Sequence, residues 1–293
     1  MDIFKNLILG ILIGMGNIIP GVSGSTVAVV FNIYEKFVNA ITFNVKKLWQ
    51  NRRFVIPIVL GMLLGVVLFS KIITILYSTY PVQTNCLFTG LIIGSIPMLF
   101  RHVIKRETDS KISLSSVISI ILCILAGLAL IVWLSFIEGN ADTTSDLRGS
   151  LPPVTFMIEL KIFIAGIFGA VAMVVPGISG SIFMLVLGVY TTITASIQSI
   201  FIPQYFVHAL LLLLPNGLGV LAGLVTSARL VSILIKKVPR QTYAVICGFL
   251  LGSIYNIFPR MSCFTDSIII ISGIISVLCG ASLAFFSSKY SKD

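Results

Sequence analysis

Six long stretches of this chain carry almost no charge, and that restricts its fold more than any other feature. Residues 54–80, 85–100, 113–137, 207–235, 241–258 and 266–288 hold between them only Lys71, Arg229 and Asp266 among the Asp, Glu, Lys and Arg side chains. A nearly uncharged run of about 18 residues or more is long enough to cross the hydrocarbon of a bilayer as a helix, a length that these stretches reach or approach. Lipid leaves such a segment few alternatives, because every backbone N–H and C=O must be satisfied within the protein. With 57% hydrophobic and 10% charged residues over 293 positions, the expected class is an all-α polytopic membrane protein. The first apolar run continues into a Pro-Gly loop and does not end at a small-residue cleavage site, so it reads as part of the fold, not as a removable signal.

The formal charge of +10 raises the question of nucleic acid, and its distribution answers it. Lys46, Lys47, Arg52 and Arg53 sit in one short connection, Arg101, Lys105, Arg106 and Lys111 in a second, and Lys236, Lys237 and Arg240 in a third. None belongs to a soluble basic domain interleaved with aromatics, so nucleic acid is not an expected partner. Positive charge between apolar segments reports which side of the membrane a loop occupies. Cys86, Cys123, Cys247, Cys263 and Cys279 have no metal-ligand spacing and read as small packing residues, so no metal site is expected.

One stretch occurs twice. Residues 14–34 read GMGNIIPGVSGSTVAVVFNIY and residues 170–190 read AVAMVVPGISGSIFMLVLGVY, so that Pro20, Gly21, Ser23, Gly24, Ser25 and Tyr34 recur 156 positions later as Pro176, Gly177, Ser179, Gly180, Ser181 and Tyr190. A second register, 158 residues long, pairs Pro57, Gly61, Gly65, Lys71, Pro81, Gly90, Gly94 and Ser95 with Pro215, Gly219, Gly223, Arg229, Pro239, Gly248, Gly252 and Ser253. Residues 1–150 and 151–293 therefore read as two copies of one unit. Proline ends the helix before each loop by removing a hydrogen bond and crowding the preceding turn. Each unit is expected to be a re-entrant helical hairpin, residues 3–45 and 156–197, followed by three transmembrane helices. A pair of full spans joined by a tight turn is the plainer alternative.

Three crossings separate the hairpins, an odd number, so the two units are expected to lie in the membrane with inverted topology. With the basic connections inside, fourteen of the twenty Lys and Arg fall on the cytoplasmic side together with both termini, and Arg148, Lys161 and Arg260 fall outside. Inverted repeats of this kind underlie many alternating-access transporters, whose substrate sites lie near the midplane between the repeats.

The loops carry the candidate chemistry. Gly21, Ser23, Gly24, Ser25 and Thr26 in the first, and Gly177, Ser179, Gly180 and Ser181 in the second, open onto helix N-termini. Free backbone N–H groups, a positive helix end and hydroxyls suit an anion such as a phosphate or carboxylate. Simple capping explains one such loop without a ligand; two at matched positions favour a shared site. Asn17, ahead of the first loop, either lines that site or caps the broken helix. Asn216 reads as a partner for backbone freed by Pro215, and His208 as structural. Lys71 and Arg229 occupy equivalent intramembrane positions, where a cation costs about 2.5–3.5 kcal/mol at a helix centre and less where it can snorkel. They either snorkel or receive an anionic headgroup, one near each face. The glycine pairs spaced by four residues, such as Gly61 with Gly65, read as close helix packing. No nucleotide loop, metal cluster or Ser-His-Asp set is present, and no cofactor is expected.

At NIIPGVSGSTVAVVFNIY and MVVPGISGSIFMLVLGVY the chain resembles the bacterial PopT-like polyprenyl-phosphate flippases, over nearly its whole length. The resemblance implies a multi-pass protein of the bacterial cytoplasmic membrane that returns undecaprenyl phosphate, a lipid carrier of cell-wall synthesis, from the outer to the inner leaflet. It implies a lipid transporter, not an enzyme. Proton or sodium coupling is compatible with it, but no residue identifies the ion. Repeat one has Asn32 where repeat two has Gly188. Two other functions remain open on the residues alone. A polyprenyl-diphosphate phosphatase would pair loop serines with arginine and glutamate in the membrane, and these loops lack arginine. An anion or small-solute channel would use the same hairpins.

Overall fold

Each of the six apolar runs becomes a helix whose ends lie within a few residues of its own. The computed structural model describes residues 2–16, 24–41, 52–104, 114–140, 151–178 and 180–290, and among these the regular structure is helical, without strands. In chain order the helices are α1 (Asp2–Gly16), α2 (Gly24–Val30), α3 (Tyr34–Ile41), α4 (Arg52–Thr79), α5 (Pro81–Ile104), α6 (Leu114–Asn140), α7 (Phe156–Val174), α8 (Ser181–Val186), α9 (Tyr190–Ser199), α10 (Phe206–Lys237), α11 (Pro239–Ile257) and α12 (Ser267–Tyr290). Residues 81–84, which separate two of the apolar runs, belong to the first turn of α5. Pro81 and its equivalent Pro239 are each the first helical residue, where a missing N–H costs nothing and φ is already suitable.

Six described helices are long and apolar enough to cross a bilayer: α4, α5, α6, α7, α10 and α12. Five coincide with expected spans. The sixth expected span, 241–258, forms α11 but is less apolar than these six, and the remaining long apolar helix is α7, within residues 156–197. Its 19 residues reach about 28 Å at ~1.5 Å per residue, close to a full hydrocarbon thickness. Arg240 and Gln241 at one end and Tyr255 and Asn256 at the other lower the apolarity of α11, and its middle is buried in protein. A helix shielded by its neighbours does not have to match lipid.

The helix after each loop breaks again, which the uniform apolarity of 25–34 hides. α2 ends in a turn at Asn32, with φ 57°, and α8 ends in one at Gly188, with φ 68°. In both, the next amide bonds back five residues (Ile33 N to Ala28 O and Val189 N to Met184 O, each 2.9 Å), while Asn32 N bonds Val29 O and Gly188 N bonds Leu185 O. This is the Schellman helix stop, which needs a left-handed residue. Glycine adopts that conformation freely and asparagine tolerates it better than most residues. The exchange of Asn32 for Gly188 is thus conservative for the backbone.

Glycine decides how the helices pair. A methyl group on Gly65 would lie 2.2 Å from Ile11 O, and one on the equivalent Gly223 would lie 2.4 Å from Ile167 O, so α4 rides on α1 as α10 rides on α7. Across the halves, a methyl on Gly90 would lie 2.2 Å from Val277 O on α12, and one on Gly248 would lie 2.2 Å from Ile124 O on α6. The last helix of each half therefore packs on the middle helix of the other, and α5 and α11 meet between them.

The largest core cluster among the described residues draws on both halves and includes residues of α2 and α3. Ala28, Val29, Tyr34, Phe37 and Val38 pack with Ile92, Leu99, Val174, Ala228, Tyr243 and Leu250. Outward, the apolar surface is uncovered: Val67 on α4, Leu122 on α6 and Leu278 on α12 are 72%, 60% and 62% exposed. Such a surface is matched to lipid, not to water.

Candidate functional site

The second loop touches the helix that follows the first. After α7, Val175 is extended, and Gly177, whose N–H is buried, takes φ +86°. That N–H donates to Thr26 Oγ1 at 3.0 Å in a buried contact. One turn from the end of α2, the Tyr34 hydroxyl donates to Val174 O at 3.1 Å, also buried. Gly177 is pressed against α11 as well: a methyl group there would meet Phe249 O at 2.8 Å and Ser253 Oγ at 3.4 Å. Three segments thus close on the second Pro-Gly loop.

A second set of polar contacts ties α3 to the other half. The Tyr243 hydroxyl donates to Glu35 Oε1, and the Ser232 hydroxyl donates to Asn39 Oδ1 at 2.7 Å. The His102 ring stacks on Tyr243 with centroids 4.8 Å apart and planes 28° from parallel. Beside Tyr243 lies a cavity of about 120 Å³, lined also by Asn32, Glu35, Lys36, Met98 and His102. A larger cavity, about 870 Å³, lies between α6 and the end of α11, where Ser135, Phe136, Ile254, Asn256 and Arg260 line it.

The expected site residues divide as follows. Gly24, Ser25 and Thr26 begin α2 and are buried; Gly177 is buried in its loop; Gly180 precedes α8 and half-buried Ser181 begins it. Gly180 also lies against Gly169 of α7, where a methyl would meet Gly169 O at 3.1 Å. Asn17, Gly21, Ser23 and Ser179 lie outside the described residues. Lys71 is carried by α4, with its side chain outside the description, and Arg229 is exposed on α10. No group of three or more His, Cys, Asp or Glu able to hold a metal occurs among the described residues.

In the sequence nothing marks Glu35, Asn39, His102, Ser232 or Tyr243 as members of one site. Tyr34 serves there only as a landmark of the repeat, although its recurrence at Tyr190 is the available signal. Two other polar residues prove to tie elements together. Asn216, expected to satisfy backbone freed by Pro215, donates instead to Ile162 O on α7, at 3.4 Å. His208 Nε2 lies 2.8 Å from Pro152 O, in keeping with a structural role.

Comparison with known proteins places the chain among relatives. A family model described as undecaprenyl phosphate translocase-like matches residues 13–272. The chain is 31% identical over 265 residues to the polyprenyl-phosphate transporter of Staphylococcus aureus (strain NCTC 8325 / PS 47), covering 89% of each chain. It is 23% identical over 273 residues to the polyprenyl-phosphate transporter of Vibrio cholerae serotype O1 (strain ATCC 39315 / El Tor Inaba N16961), covering 88% of this chain and 79% of that one. No solved structure matches it. A family match across both repeated loops, with a relative of this similarity over nearly the full length, identifies the chain as a member of the undecaprenyl phosphate translocase-like family.

Proposed function

We propose that this protein moves polyprenyl phosphate, with undecaprenyl phosphate as its natural form, from the outer to the inner leaflet of the bacterial cytoplasmic membrane. Both relatives are named for transport of polyprenyl phosphate, and the match runs through the residues that form the junction of the halves. The observation that carries the reading is the buried bond between Thr26 and Gly177, which joins the two copies of the repeated stretch in one locus. Two separate binding sites would not require such a junction.

In this reading residues 1–150 and 151–293 are inverted repeats, basic loops and both termini face the cytoplasm, and the halves rock about the loops. The loop amides and the hydroxyls of Ser23, Ser25, Ser179 and Ser181 offer hydrogen bonds to the phosphate, whose charge the helix N-termini favour. Asn17, Gly21, Gly24 and Gly180 shape the same loops. In this conformation the Gly177 amide is engaged by Thr26, so phosphate binds there only when the halves part. Lys71 and Arg229 serve as charge partners near the two faces. The isoprenoid tail stays in the bilayer, against the exposed apolar surface of the outer helices.

The test is reconstitution in liposomes with a labelled short-chain polyprenyl phosphate, following loss of label from the outer leaflet. Wild-type protein is expected to deplete it. Paired substitutions Ser23→Ala with Ser179→Ala, and Lys71→Ala with Arg229→Ala, are expected to slow it. Unchanged rates in both pairs would remove the site assignment; ionic conductance without lipid movement would favour the channel.

A further inference from the structure

The two cavities share two pairs of residues that are equivalent in the repeat. In the 158-residue register Met98 corresponds to Asn256 and His102 to Arg260. Met98 and His102 line the small cavity, Asn256 and Arg260 the large one. Tyr243 lines the small cavity, where it stacks on His102 and bonds Glu35. At the other end, the residue equivalent to Glu35 is Thr191, which has no carboxylate to accept such a bond, and the residue equivalent to Tyr243 is Asn85, whose Oδ1 accepts from Tyr77 at 2.9 Å. The tyrosine–carboxylate clasp of one end therefore has no chemical counterpart at the other.

We propose that the larger cavity receives the phosphate head of a polyprenyl monophosphate, with Arg260 as its charge partner. This rests on the transport reading and adds to it a receiving site apart from the Pro-Gly loops. The volume, about 870 Å³, suits a phosphate head and the first isoprene units. Phe136, Leu251 and Ile254 supply apolar walls, while Ser135, Asn256 and Arg260 supply a few polar groups, the pattern of a site for an amphiphile. Among the described residues that line it none is acidic, so Arg260 sets a positive local field. A guanidinium offers parallel donors that match two phosphate oxygens. Arg260 sits just past α11, ahead of the short turn Met261–Cys263, on the side that the proposed orientation turns outward. With the opposite cavity clasped, the conformation is one that accepts lipid from the outer leaflet.

The experiment measures binding of a fluorescent short-chain polyprenyl monophosphate to the full chain in nanodiscs, with transport in liposomes as a parallel readout. Because Arg260 is exposed, its variants are expected to fold. Arg260→Ala and Arg260→Glu are expected to weaken binding about tenfold or more, the loss typical of a charge-assisted hydrogen-bond partner. Arg260→Lys should fall between these and wild type. Leu251→Trp, which fills the apolar wall, should also weaken binding and leaves the charge in place. Wild-type affinity in Arg260→Ala and Arg260→Glu would overturn the proposal. So would competition by inorganic phosphate at the concentrations at which the lipid binds, since the site would then take the free anion. Lipid binding that depends on Arg260 in a protein that moves no lipid would sustain the site and overturn the transport reading instead.

Discussion

Thr26 and Gly177 stand 151 residues apart in the chain and share one buried hydrogen bond of 3.0 Å, the amide of one repeated stretch held by the hydroxyl of the other. Thr26→Val keeps the shape and removes the acceptor, leaving the Gly177 N–H buried without a partner. The expected cost is about 1–3 kcal/mol, read as a lower unfolding temperature in detergent. Thr26→Ser retains the oxygen and should recover most of it. Equal stability of the Thr26→Val and Thr26→Ser variants would show that the bond contributes nothing.

Gly177 and Gly188 both have positive φ but differ in surroundings. A methyl at Gly177 meets Phe249 O at 2.8 Å, whereas one at Gly188 meets nothing within 4 Å. Gly188→Ala should cost only the left-handed penalty, about 1–2 kcal/mol, and Gly188→Asn less, because Asn32 already stands in that conformation. Gly177→Ala adds a clash with fixed backbone and should lower the yield of folded protein further. Thermal unfolding of the three variants checks the order.

Much of this architecture is legible in the sequence, and the reasons are physical. Lipid forces long uncharged runs into helices, and the glycines at 61, 65, 219 and 223 announce where helices touch because only a missing side chain allows that approach. The Pro-Gly loops announce themselves as breaks. The second break, at Asn32 and Gly188, is signalled by the Asn-for-Gly exchange in the repeated stretches but masked by apolar neighbours. What sequence cannot show is pairing across the fold. Glu35 and Tyr243 meet over a separation of 208 residues, and nothing in the local pattern of either points to the other.

Close helix packing can be tested by a contrast of glycines. In α10, Gly219→Ala places a methyl 2.2 Å from Phe163 O and forces α7 and α10 apart, while Gly217→Ala meets nothing within 4 Å. The former should destabilise the protein. The latter should be neutral or stabilise by up to about 1 kcal/mol, the helix-propensity gain of Ala over Gly. Comparable unfolding temperatures for the two variants would contradict the packing described for α7 and α10.

The clasp between Glu35 and Tyr243 should behave as a coupled pair. Glu35→Gln and Tyr243→Phe, separately and together, form a double-mutant cycle in which contacting residues show coupling of about 0.5–3 kcal/mol. Unfolding in detergent provides the measurement. Strict additivity would mean that the contact carries no energy.

The central claim is that lipid phosphate crosses as the two halves move against each other, and one cross-linking experiment addresses it most directly. Asn39 and Ser232, joined across the halves at 2.7 Å, are replaced by cysteines in a chain whose five native cysteines are substituted. Transport of labelled short-chain polyprenyl phosphate is then followed in liposomes before oxidation, after it, and after reduction. The expected result is flux in the reduced protein, its loss once the disulfide joins α3 to α10, and its return with reductant. Undiminished flux with the disulfide fully formed would contradict motion between the halves, and no flux in the reduced protein, with wild type active alongside, would deny this junction a free passage between states.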